Sequence, residues 1–187
     1  MKAYVAAAVI LLAGAVDAAD DWAWPSPQVF AASYGGYALR TIPAAPSKTV
    51  PGPAPFGVSQ AVLFKPGNEG KDVAIWKREL VNVPHRAMIT DDGKYVLTFD
   101  TWGRVGYEHS LVIYGERGKL VADHPLDALL SRAEITERVQ HSVSSRWWLR
   151  EATTSFNERN DELIITLKWG KVLRVALATG TVTGAPA

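Results

Sequence analysis

Asp100 and Glu108 bracket a loop that reads DTWGRVGYEH over residues 100–109. Two carboxylates a few ångströms apart are the basic equipment of acid–base hydrolysis: one protonates the leaving oxygen while the other attacks or activates water. His109, beside Glu108, adds a group that exchanges a proton near neutral pH. Trp102 and Tyr107 lie between them, and such rings stack on sugars and anchor interfaces. The loop is therefore read in two functional ways. It is a hydrolytic site using Asp100, Glu108 and His109, or a binding surface made of Trp102, Arg104, Tyr107 and His109. A plain connection is the third reading, in which Asp100 ends a strand, Trp102 packs, and Gly103 and Gly106 permit the bend.

Other chemistries are poorly served. Gly57-Val58-Ser59-Gln60-Ala61 approximates a nucleophile elbow, but that motif needs a strand before the serine and a helix after it. Here a Pro-rich run precedes and a strand-like run follows. Ser142, Ser144 and Ser145 beside His141 read as loop residues that satisfy backbone groups. The four histidines, His85, His109, His124 and His141, are scattered, and only Glu137 and His141 stand at ligand spacing near a helix end. Asp91-Asp92-Gly93 lacks the alternating oxygen ligands of a calcium loop and reads as a tight turn. The chain has no cysteine, which rules out thiol nucleophiles and thiolate metal sites. No metal or other cofactor is expected.

The elements that must position the loop are strands. Alternating or β-rich runs cover Tyr37–Thr41, Ser59–Phe64, Asp72–Leu80, Tyr95–Asp100, Ser110–Tyr114, Lys119–Asp123, Leu163–Leu167, Val172–Leu177 and Thr181–Thr183, separated by Gly and Asp turns. A further strand is expected within SSRWWLREATTSF (144–156), with the Trp147 and Trp148 rings on opposite faces. DDWAWPSPQVF (20–30) reads as an extended arm. Residues 42–57 form a Pro-rich surface loop. The helical signal is confined to 125–140, where Ser131 and Glu134 have capping-box spacing. The fold class is all-β, with one short helical insertion.

The chain also repeats itself. DDGKYVLTFDTWG (91–103) matches RNDELIITLKWG (159–170), and SLVIYGERGKLV (110–121) matches VLRVALATGTVT (172–183). SYGGYALRT (33–41) is a fainter third copy that continues into AVLF (61–64) and DVAIWKREL (72–80). Trp102 and Trp169 occupy equivalent positions, as residues required by the repeat's own packing do. Only Arg104–His109 is extra in the 91–121 copy.

This phrase, Asp-Gly-Lys-Tyr-Val leading into a strand and then a Gly-containing turn, resembles the blade of a β-propeller of the WD40-like kind. It also resembles small secreted bacterial proteins that carry the same DGKYV-strand phrase. The resemblance implies antiparallel β-meander units and an envelope location, and implies no activity. The Gly-His and Trp-Asp signatures of true WD40 units are absent, and three units are too few to close a propeller.

Residues 1–18 read as a secretory signal: Lys2, an apolar Val5–Val16 run, and Val16-Asp17-Ala18 before the cleavage point. Residues 19–187 then form a single β-rich domain, exported to the periplasm or beyond the cell, with no membrane span after cleavage. The 20 Lys and Arg nearly balance the 19 Asp and Glu and are interspersed, so a nucleic-acid partner is not expected. The leading expectation is a non-enzymatic binding or assembly module that meets an envelope partner or self-associates through open sheet edges. The alternative is a secreted hydrolase, carbohydrate-active or otherwise, using the 100–109 loop.

Overall fold

The computed structural model describes residues 23–44, 58–67 and 71–186. Its strands are β1 (Gln28–Ala31), β2 (Ala38–Pro43), β3 (Ser59–Lys65), β4 (Val73–Leu80), β5 (Arg86–Ile89), β6 (Val96–Phe99), β7 (Leu111–Tyr114), β8 (Leu120–His124), β9 (Thr153–Phe156), β10 (Glu162–Thr166), β11 (Val172–Ala176) and β12 (Val182–Thr183). They make three antiparallel four-stranded sheets: β1–β4, β5–β8 and β9–β12. Each strand pairs with its neighbour in sequence, so every sheet is a meander. The repeat is thus a repeat of sheets. Its two clearest copies become β6–β7 and β10–β11, and the fainter one begins at β2. Among the described residues the sheets close into neither a barrel nor a propeller.

The second sheet lies between the other two. Every residue of β6 and β7 is buried, because both faces are covered. Val96, Val112 and Tyr114 meet Leu39, Leu63, Trp76 and Leu80 of the first sheet. Leu97, Phe99, Leu111 and Ile113 meet Leu163, Ile165, Leu173 and Val175 of the third. VLTF and LVIY are accordingly continuous rather than alternating in character, the pattern of strands buried on both sides. In the outer sheets alternation returns: along β11 the exposed Val172 and Arg174 flank the buried Leu173.

Helices α1 (Leu126–Leu129) and α2 (Arg132–Glu137) fill the 125–140 insertion. Ser131 Oγ accepts the Glu134 N–H, and Glu134 accepts the Ser131 N–H, completing the capping box. Leu126, Leu129, Leu130, Ile135 and Val139 enter the core between the second and third sheets. No helix among the described residues is long and apolar enough to cross a membrane.

The first hairpin turns of the three sheets meet at Asp91. Its side chain accepts the Tyr34 N–H at 3.2 Å from the β1–β2 turn and the Asn160 amide at 3.5 Å from the β9–β10 turn. Gly35 has φ +75°, and a Cβ there would lie 1.7 Å from the Asp91 carbonyl oxygen. Asp92 closes its own turn by accepting the Lys94 N–H and the Thr90 hydroxyl.

Two expectations are corrected, and one strand is added to those expected. The end of the N-terminal arm is strand β1, paired with β2. Residues 86–89, which lead into the Asp-Gly turn, form β5. The strand expected over 144–156 is confined to Thr153–Phe156, because the chain turns first: Arg150 N–H donates to Trp147 O and Ala152 N–H to Leu149 O, both at 3.1 Å. The segment read as a signal lies outside the described residues, as does most of the Pro-rich loop, residues 45–57.

Candidate functional site

The β6–β7 connection is where the second unit departs from the third, and its backbone is unusual. Asp100 and His109 adopt φ of +60° and +57°, and Gly103 and Gly106 of +77° and +74°. Asp and His tolerate this left-handed region better than most side chains. These four positions coil the insert back onto the segment ahead of the third sheet. There Val105 is buried and its carbonyl accepts the Arg146 N–H at 2.8 Å.

Asp100 is buried to 4% exposure. Its Oδ1 accepts the Gly106 N–H at 2.8 Å and the Trp148 indole N–H at 3.0 Å. Burial raises its pKa to about 7, against the opposing pull of those two donors. A buried network runs behind it. The Asn82 side chain donates to the Asp100 carbonyl at 2.7 Å and accepts the Thr98 hydroxyl at 3.1 Å. The Asn82 carbonyl takes the Ser59 hydroxyl at 2.8 Å. Ser59 is therefore a strand residue that joins the first sheet to the second.

Beside Asp100 lies a cleft of about 240 Å³, lined by His85, Arg86, Phe99, Asp100, Val105, Trp147, Leu149 and Arg150. His85 gathers two indoles, with ring centroids 5.8 Å from Trp102 and 6.0 Å from Trp147. Its partial burial lowers its pKa, favouring neutral imidazole. The Trp102 indole N–H donates to the Ala23 carbonyl at 2.8 Å, which fixes that ring and docks the N-terminal arm on it.

The other candidate residues face elsewhere. Glu108 is exposed and pairs with Arg104 at 3.3 Å. His109 bonds Asp123 of β8 at 2.7 Å. Tyr107 has the Arg104 and Arg146 guanidinium carbons over its ring, at 5.2 and 4.2 Å. The Arg146 Nε is buried without an acceptor, and the ring supplies a cation–π counterpart instead. The structure thus brings Asp100 and Trp102 to the cleft region and turns Arg104, Tyr107, Glu108 and His109 to partners of their own. His141 hydrogen-bonds the Ile135 carbonyl at 2.7 Å. Among the described residues no group of three or more His, Asp or Glu could hold a metal ion.

Sequence reasoning missed His85, Arg86, Arg150 and Asn82 at this place. The Trp147-Trp148 doublet was the one visible signal, and it was assigned to a strand. The two rings do divide, with Trp148 fully buried on Asp100 and Trp147 half-buried in the cleft wall. No protein-family model matches the chain, and no curated protein matches it. Fold and site together define an all-β protein of three packed meander sheets, with a cleft lined in part by His85 and Trp147 next to the elaborated β6–β7 connection.

Proposed function

We propose that this chain is a non-enzymatic binding module of the bacterial envelope that seats a small ligand in the cleft beside His85, Trp102 and Trp147. The observation that carries the proposal is that cleft, with a largely apolar lining, the His85 and Trp147 rings in its wall and a few polar groups converging on it, the usual composition of a ligand seat. The signal-like residues 1–18 support the envelope location. Hydrolysis by paired carboxylates requires two acids on one substrate. Among the described residues Asp100 is the only carboxylate lining the cleft, and Glu108 is engaged with Arg104 at the surface.

The test is NMR of the indole N–H resonances during titration with a panel of small sugars, acids and amines. Saturable shifts at Trp102 and Trp147, with the ligand recovered unchanged, are the expected result. Turnover of a glycoside substrate that disappears in Glu108→Gln would replace the proposal with the hydrolase.

A further inference from the structure

We propose that the ligand this cleft takes is a small carboxylate carrying an apolar or aromatic body, an inference that rests on the binding function proposed above. The lining sorts into two kinds of group. Leu149 and the Trp147 ring offer apolar surface over the buried Phe99 and Val105, while Arg86, whose guanidinium carbon lies 5.7 Å from the Phe99 ring centroid, and Arg150 bring two guanidiniums from separate elements, β5 and the turn before β9. Arg86 donates to the Thr154 hydroxyl at 2.5 Å, and Arg150 donates to the Gln140 side-chain oxygen. Both acceptors are neutral. Neither arginine makes an ion pair among the described residues. A guanidinium carries five N–H donors, and its planar fork matches the two oxygens of a carboxylate.

The remaining polar groups of the cleft do not cancel this charge. His85 is held towards its neutral form by partial burial. Among the described residues Asp100 is the one acid in the lining, and burial raises its pKa to about 7, which weakens its negative charge near neutral pH. Glu151, next to Arg150 in the chain, is engaged by Lys168 at 2.8 Å. The cleft is therefore a local concentration of positive charge in a chain whose formal net charge is only +1. The cleft volume of about 240 Å³ corresponds to roughly eight water molecules. That is room for a ring bearing a carboxylate.

Calorimetric titration of the whole protein with benzoate, benzyl alcohol and benzylamine tests this. Benzoate should bind at least about tenfold more tightly than benzyl alcohol, with benzylamine weakest. Arg86→Gln and Arg150→Gln, both at exposed side chains, should each weaken benzoate about tenfold and leave benzyl alcohol unchanged, with circular dichroism confirming the fold. Benzyl alcohol binding as well as benzoate, or unaltered benzoate affinity in both arginine variants, would overturn the carboxylate while leaving the cleft a binding seat. Silence from all three probes would remove the cleft as a ligand seat, and the binding function with it.

Discussion

The Trp148 indole N–H bridges both carboxylate oxygens of Asp100, at 3.0 and 3.3 Å. A buried acid is thereby joined to a buried ring from the segment ahead of the third sheet. The folded pKa of Asp100, about 7, lies above its ordinary value near 3.8. Between those limits the folded protein holds a proton that the unfolded chain releases. Stability therefore falls as pH rises through this window and stays at the lower level above it. The rise corresponds to about 4 kcal/mol of lost stability at pH 8. Asp100→Asn keeps an acceptor for Gly106 and Trp148 and suits the left-handed backbone. Thermal melts should show the variant several degrees more stable than the parent at pH 8 and level with it near pH 4. A parent melting temperature that does not change between pH 5 and 8 would sink the assignment.

Glu134 behaves in the opposite sense. Desolvation opposes its ionisation, but the Lys171 ammonium and the Ser131 N–H and hydroxyl outweigh it and hold the pKa down to about 2. Its stabilisation is complete above its ordinary value of 4.5 and lost as pH falls towards 2. Glu134→Gln should remove part of the acid destabilisation seen below pH 4 in urea titrations and lower stability at pH 7. Equal acid sensitivity in parent and variant would count against the Lys171 contact.

Gly106 is confined by both conformation and space. At its φ of +74° a Cβ would lie 2.2 Å from the Arg146 carbonyl oxygen. Gly170, in the corresponding connection of the third sheet, has φ +85° with nothing within 4 Å of its Cβ position. Gly106→Ala should cost about 2–4 kcal/mol and Gly170→Ala about 1 kcal/mol in denaturant midpoints. Equal costs would show that the insert does not dock on Arg146.

Asn82 satisfies groups on two sheets at once. Asn82→Ala leaves the Thr98 hydroxyl and the Asp100 carbonyl without their side-chain partner, all within buried surroundings. The loss should be about 2–4 kcal/mol, read from equilibrium unfolding. A change below about 0.5 kcal/mol, the size of an ordinary surface substitution, would show that the network contributes little.

The meanders were legible because their signals are local. Asp92-Gly93, the alternation along 172–177 and the Ser131–Glu134 spacing each act within a few residues. Self-comparison also isolated Arg104–His109 as an insert. Its role was not legible, since Val105 and Gly106 are placed by Arg146, far along the chain. The cleft was hidden for the same reason: His85, Asp100 and Trp147 come from three connections and share no periodicity. Asn82 gave no signal at all, because a lone asparagine between strands looks like a turn residue until its partners are known.

The central position of the second sheet bears on how the chain folds. Strictly sequential pairing keeps contacts short in sequence within each sheet, which favours rapid formation of individual meanders. The middle one cannot be finished alone. A nascent or truncated chain ending after β8 would hold one covered face and leave Leu97, Phe99, Leu111 and Ile113 bare until Leu163, Ile165, Leu173 and Val175 arrive. The C-terminal third thus supplies the missing cover of the centre, and loss of those residues should be felt first as aggregation.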